Sequence, residues 1–304
     1  MGARKVKNIV KARRTASESG YHYINLFQNC KRKWYIRHVL RYVPQETAGP
    51  LVFGGAFHEA KAVFYETKSG KKAEETLVRE LKKREKEIDH GLFEQYTWRG
   101  PVMLGAWISR FGMQDVQNFK VLHVEEELRP RLPNGFEMTM RPDCILQNRS
   151  GTVYIMETKT SFSNPNIVLE GVVIGDQSTA YIYGVKKVYG IHAQMIPDIV
   201  GWSLSSMDTG KIACFRGEIV ERTEKDLEEF EAGVQSELLD ISTRVAGIKK
   251  YGVPALFPRN TQFCMSYNRR CEYADICRGD LSEVPALFKK EEPFTGRPAK
   301  KGKR

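Results

Sequence analysis

The 304-residue sequence contains no apolar run long enough to cross a bilayer as a helix, which excludes a helical membrane protein. Its N-terminus is basic but lacks the apolar core of a secretory signal. Gly2 is not a myristoylation site, because Val6 stands where Ser or Thr is needed. With no export signal to read, the six cysteines are expected as thiols or metal ligands in the cytoplasm, not as disulfides. None of them sits in a C-x-x-C knuckle, which argues against an ordinary zinc ribbon. There is no internal repeat, and no helicase motif. Acids are the scarcer charge, 37 against 48 Lys and Arg, for a net charge of +11. That surplus suits a polyanion, of which nucleic acid is the commonest. Part of it sits in the ends "ARKVKNIVKARR" and "RPAKKGKR", and residues 1–19 and 283–304 read as disordered basic tails.

The rest has enough apolar content, 41%, for a sizeable core. Residues 20–42 read as one helix mixing aromatic, apolar and basic positions. "LVFGGAFHEAKAVFYETKSG" reads as a helix ending near Gly70, and "KKAEETLVRELKKREKEIDH" as a charged, exposed one. Another helix is expected within "PVMLGAWISRFGMQDVQNF". The period then changes to two: "VLHVEEELRPRL", "FEMTMRPDCIL" and "TVYIMETKT" read as three strands, the last two joined by "QNRSG". A loop containing "SNPN" leads to a helix over 177–189, with Asp176 as N-cap, Lys186 and Lys187 in the last turn and Gly190 after it. "MIPDIVGWSLSS" and "KIACFRGEIV" read as two more strands and "TEKDLEEFEAGVQSELLDISTRVAG" as a long helix. From about 251 the chain reads as irregular and rich in Pro, Arg and Cys. This order predicts an α/β fold: a mixed central sheet flanked by helices, an N-terminal helical region and a small Cys-rich C-terminal appendage.

The chemistry concentrates at strand ends. Residues two apart on a strand share a face, so Glu157 and Lys159 point one way and Thr158 the other. If the turn centres near Ser150, Asp143 and Glu157 lie opposite each other, with Cβ atoms roughly 5 Å apart. Two carboxylates so placed repel unless a cation lies between them, and a hard divalent ion, Mg²⁺ first, meets that need. Lys159 then stands beside the metal, suited to orienting a water or meeting developing phosphate charge. A plain salt bridge at a strand end is the alternative for E-x-K alone.

Pro142-Asp143 followed by Glu157-Thr158-Lys159 resembles the signature of the PD-(D/E)XK nuclease superfamily. "GGAFHEA" and "QSTAY" are similar to motifs of its RecB-like branch, which includes Cas4-like and AddB-type nucleases. The resemblance spans roughly residues 20–280. It implies a restriction-endonuclease-like core over 20–250 with a helical insertion at about 55–120. It implies His58 as a metal ligand beside Asp143, Glu157 and the backbone carbonyl of Thr158, holding Mg²⁺ or Mn²⁺. Lys159, Glu157 and Asp143 would be the catalytic residues. Gln177 and Tyr181, one helical turn apart, would contact a phosphate or base.

Cys144 and Cys214 fall in strand-like apolar settings and read as core residues. Cys264, Cys271 and Cys277 cluster in "FCMSYNRRCEYADICRGD", with Cys30 far upstream. Four thiolates can hold an iron–sulfur cluster, and three after the core plus one before it resemble the [4Fe–4S] staple of the same branch. That would tie the segment 251–282 to Cys30. The gaps of six and five residues depart from the shorter first gap usual there, and Zn²⁺ is the alternative. "CKRKWYIRH" interleaves cations and rings as a channel for a single strand would, or as an amphipathic helix does.

The expectation is a metal-dependent DNA nuclease of bacterial or phage type, an exonuclease acting on ends or single strands, in recombination, repair or phage DNA processing. A helicase or recombination partner fits that role. The alternatives are an endonuclease on the same core and a non-catalytic nucleic-acid-binding module.

Overall fold

The computed structural model describes residues 20–45, 47–162, 164–202, 212–266, 269–278 and 287–291. The basic stretches 1–19 and 292–304 lie outside them. α1 (Tyr21–Asn29) stops at Cys30, which is extended at φ −157° and ψ 104°. The chain resumes helically at Lys31–Trp34 and continues through a wider turn at Tyr35–Val39. The single helix expected over 20–42 is therefore broken. The break leaves the Asn29 carbonyl to accept from Asn260 Nδ2 at 2.9 Å, across 231 residues of sequence.

α2 (Gly49–Thr67) starts with Pro50 in its first turn and ends on left-handed Lys68. α3 (Gly70–Lys83) is capped by Ser69. Its charge predicted exposure, yet Ala73, Leu77 and Leu81 recur every four residues and are buried as one stripe. α4 (His90–Trp107) begins eleven residues before Pro101, where Asp89 accepts from the Leu92 amide at 3.1 Å. Burial of Tyr96, Gly100, Met103, Leu104 and Trp107 holds the helix together through its internal proline.

Five strands follow: β1 (Lys120–Val124), β2 (Cys144–Gln147), β3 (Val153–Ser161), β4 (Gln194–Trp202) and β5 (Ile212–Arg216). They lie in that order; β3 and β4 are parallel and the other neighbours antiparallel. This is the mixed sheet the sequence predicted. The parallel step needs a crossover, made by α5 (Pro165–Ile174) and α6 (Asp176–Tyr189). Two readings are corrected here. "SNPN" is not simply a loop, because Asn164 caps a helix that Pro165 opens; Ser163 lies outside the described residues. The N-cap of α6 is Gly175, and Asp176 is its first helical residue, still placed to favour the positive end of the helix.

The strand expected from "FEMTMRPDCIL" keeps only its end. Residues before Pro142 make isolated bridges, Leu128 with Met140 and Arg131 with Glu137. Proline has no N–H to continue a ladder. The strand expected from "VLHVEEELRPRL" ends at Val124, because Glu125 turns left-handed at φ 48°. α7 (Glu224–Tyr251) opens with a capping box of Thr223 and Asp226. Beyond it the chain is less irregular than expected, with short helices at Val253–Leu256 and Ala274–Arg278. Residues Phe288–Lys290 pair with Tyr42–Pro44.

Alternation on the central strands builds a three-layer molecule. Ile145, Val153 and Ile155 pack with residues of α1, α6 and α7. Cys144, Leu146, Met156, Ile196, Val200 and Cys214 face the other way, into the apolar stripes of α2, α3 and α4. Cys144 and Cys214 are thus core residues, as read. No helix among the described residues is long and apolar enough to cross a membrane.

Candidate active site

The β2–β3 turn sets the register on which the site depends. Asn148 and Thr152 close it, with the Asn148 amide donating to Thr152 O at 3.0 Å and Asn148 Oδ1 accepting from the Thr152 amide at 2.9 Å. Gly151 sits at φ 93°, where a side chain would be strained. Pairing runs from Gln147 with Val153 to Cys144 with Met156. One step further puts Asp143 opposite Glu157, on the face that looks toward α6. Thr158 points to the α2 face.

His58 comes to this strand end from α2. Its Nδ1 is 2.7 Å from Asp143 Oδ1 and 3.8 Å from Glu125 Oε1. The Thr158 amide donates to the second Asp143 oxygen at 2.8 Å. Among the described residues, only His58, Glu125 and Asp143 form a group of three metal-type donors within 4.8 Å of one another. Glu125 escaped the sequence reading. Three successive acids, Glu125 to Glu127, looked like one face-alternating strand. Only the left-handed backbone at Glu125, whose amide donates to Asp143 O at 3.0 Å, turns that residue into the site.

Glu157 lies beside this group, almost wholly buried. Its Oε1 accepts from Lys159 Nζ at 2.7 Å, while its Oε2 is buried with no hydrogen-bond partner. Lys159 Nζ also donates to Gln177 Oε1 at 2.9 Å, and Gln177 Nε2 donates to the Tyr181 hydroxyl at 3.1 Å. Glu157, Lys159, Gln177 and Tyr181 therefore form one chain of hydrogen bonds. Tyr181 is 9% exposed, so its hydroxyl meets Gln177 and not open solvent.

The two carboxyls are driven apart electrostatically. Burial alone would raise Asp143, but the neighbouring His58 and its hydrogen bond, the Thr158 amide and Lys159 outweigh it and hold the group at about 2. Burial pushes Glu157 up to about 7; Lys159 offsets this in part, and the Asp143 anion adds to it. A buried oxygen without a partner, in a carboxyl whose ionisation is resisted, is a group that a bound cation would satisfy. The donor set of carboxylates and one imidazole fits a divalent ion.

His22 lies on α1, near enough to Lys159 to feel its charge. It is exposed by area, yet burial is the main cause of its lowered pKa, with Lys159 second.

The four candidate cluster cysteines are free thiols, each half-buried. The Cys271 amide donates to Cys264 O at 2.8 Å, and the Arg32 amide to Pro258 O at 3.3 Å. Burial raises the Cys271 thiol, and Cys30 is close enough to add to the effect. The Cys30 turn and the C-terminal segment thus lie together. No three of these sulfurs fall within 4.8 Å, so they are not drawn in as tightly as tetrahedral zinc ligands are.

Comparison with solved structures returns distant likenesses. One is a candidate exonuclease from Eubacterium rectale, 14% identical over 84% of this chain and 85% of that one, with a TM-score of 0.43. Another is the alkaline exonuclease LHK-Exo from Laribacter hongkongensis, 17% identical over 67% of this chain and 98% of that one, with a TM-score of 0.30. The same exonuclease in complex with dAMP matches at 18% identity over the same shares, with a TM-score of 0.29. Comparison with curated proteins finds no match. The sequence profile of the PD-(D/E)XK nuclease superfamily matches residues 21–278, the whole span from α1 to the last cysteine helix. Matched over that length, and carrying the paired carboxylates and lysine at the mouth of β3, this chain belongs to the PD-(D/E)XK nuclease superfamily, whose members hydrolyse phosphodiester bonds with divalent metal ions.

Proposed function

We propose that the protein is a Mg²⁺- or Mn²⁺-dependent deoxyribonuclease of the RecB-like branch, an exonuclease that acts on DNA ends or single strands in the cytoplasm of a bacterium or phage-infected cell. The observation that carries the reading is the buried, partnerless Oε2 of Glu157 beside the Asp143–His58–Glu125 group. Asp143, Glu157, His58 and Glu125, with the Thr158 carbonyl, would hold the ion. When bound, such an ion acidifies a water and screens the phosphate. Asp143 stays ionised across the working range and accepts from the Thr158 amide, which keeps its carboxylate aimed. Lys159, held between Glu157 and Gln177, orients the attacking water and donates toward the charge that develops on phosphate. Gln177 reaches the phosphate or base, and Tyr181 supports it from behind.

Single strands and DNA ends are the substrates this reading expects. A helicase or recombination partner would supply such ends to a chain with no motor motif of its own. Cys30, Cys264, Cys271 and Cys277 would hold a [4Fe–4S] cluster that ties the C-terminal segment to the first helix; the lack of a C-x-x-C knuckle in the sequence supports it over Zn²⁺. The test is a cleavage assay on labelled single-stranded, duplex and closed-circular DNA, with Mg²⁺, Mn²⁺ or EDTA. Loss of linear and single-stranded substrate only with a metal ion supports the reading. Cleavage of closed circles would make it an endonuclease. No cleavage with either ion would leave a nucleic-acid-binding module.

A further inference from the structure

Behind the strand that carries Glu157 and Lys159 lies a second set of charges that the proposed chemistry does not use. His58, Lys61 and Tyr65 follow one another along one stripe of α2, at spacings of three and four. His58 meets Asp143. Lys61, only 4% exposed, donates from Nζ to Thr158 Oγ1 and to Asp198 Oδ2, each at 2.5 Å, and lies 4.0 Å over the Trp107 ring. Asp198, 0% exposed, also accepts from Trp107 Nε1 at 2.7 Å. Arg216 Nε lies 3.6 Å from the other Asp198 oxygen, and the Arg216 guanidinium grips buried Asp115 at 2.8 and 2.6 Å. Tyr65 completes the set, donating to Asp115 at 2.8 Å. Thr158, Asp198 and Arg216 are neighbours across β3, β4 and β5 by register.

Two buried anions held by one buried and one half-buried cation are a poor way to gain stability. A buried ion pair is commonly no better than apolar side chains of the same shape. The geometry shows what else it does. Thr158 is the residue whose amide holds Asp143, and whose carbonyl would be a ligand in the proposed site. Its hydroxyl is where Lys61 meets the strand of the site. A cavity of about 10 Å³ between His58, Lys61, Asp143 and Thr158 makes the two regions contiguous.

We propose that Lys61, fixed by Asp198, is a positioning residue that clamps Thr158 from the α2 face and so sets the peptide that aims Asp143 at the metal. The inference rests on the metal-nuclease reading of the same site. It is tested with Thr158→Val and Thr158→Ser in the full-length protein. Valine keeps the shape and strand preference of threonine and removes the acceptor. Serine keeps the acceptor and loses a methyl group.

The readouts are thermal stability, the Mn²⁺ dissociation constant, and exchange of the Thr158-position amide by NMR. Thr158→Val should remain folded and bind Mn²⁺ about tenfold or more weaker, the usual result of losing a group that orients metal ligands. Its residue-158 amide should exchange about tenfold faster, because protection follows local opening. Thr158→Ser should stay within about twofold of wild type in both, although the less stable of the two. A merely structural role predicts the reverse order. Should Thr158→Val fail to fold, Lys61→Met/Asp198→Asn removes both charges together and is read the same way. A folded Thr158→Val or double variant with wild-type Mn²⁺ affinity and amide protection overturns the proposal. Wild-type protein that binds no Mn²⁺ would refute the nuclease reading instead, and amide exchange alone would then decide whether the clamp exists.

Discussion

Replacing Glu157 with Gln should stabilise the metal-free protein at high pH while removing its activity. An ordinary glutamate titrates near 4.5, and Glu157 in the folded chain near 7, chiefly through burial. Between those values the folded state holds a proton that the unfolded state has lost. Stability therefore falls as pH rises through that window, opposite to the behaviour of a salt-bridged carboxylate. From pH 5.5 to pH 8 this one group should remove about 2 kcal/mol. The Glu157→Gln side chain has no such proton to lose. Its amide oxygen can accept from Lys159, and its amino group can donate toward Asp143. The assay is urea denaturation in EDTA at several pH values, comparing the two profiles so that other titrating groups cancel. The gap should open between pH 5.5 and 8 in favour of the variant. Adding Mg²⁺ or Mn²⁺ should close it by stabilising wild type alone. Parallel pH profiles in EDTA would refute the account of Glu157 as an anion held against its own solvation.

Three further outcomes are expected. Lys159→Met should bind metal and DNA but turn over about a hundredfold or more slower, because the lysine acts on the developing charge; single-turnover rates check this, and a wild-type rate removes Lys159 from the mechanism. Glu125→Gln should weaken Mn²⁺ binding about tenfold, as for a lost ligand or its support, which titration calorimetry measures; unchanged affinity would return Glu125 to a surface role. Anaerobically purified protein should be brown and carry about four irons per chain, and Cys271→Ser should lower the melting temperature before it lowers activity; stoichiometric zinc without iron would keep the tie and change its metal.

The legible parts share a property: each depends on residues near one another in sequence. The period-two runs around "QNRSG" and the length of that turn were enough to set Asp143 against Glu157, since register in a hairpin follows from its turn. The helix from "GGAFHEA" and the helix from "QSTAY" were legible for the same reason, by period and flanking signals. In α3 most of the charges lie exposed as read, but their number hid the buried stripe of Ala73, Leu77 and Leu81. Glu125 was hidden because φ 48° is a property of one backbone residue under tertiary constraint, and glutamate gives no sign of it.

The sequence by itself determined the class of fold and the residues able to do chemistry. Hydrophobic period, caps and turn length are local, and a hairpin delivers two carboxylates and a lysine without help from the rest of the chain. Tertiary structure alone decided which partners those residues meet. It brought His58 to Asp143 across 85 positions, Asn260 to the carbonyl beside Cys30 across 231, and Lys61 to Asp198 across 137. "HEAKAVFYE" and "MIPDIVGW" each bring one of these charges in an apolar setting, and neither segment shows by itself that the two charges neutralise each other. That pairing exists only once the apolar stripes of α2 and α4 have covered the sheet, because only then is water excluded and a buried charge compelled to find a partner.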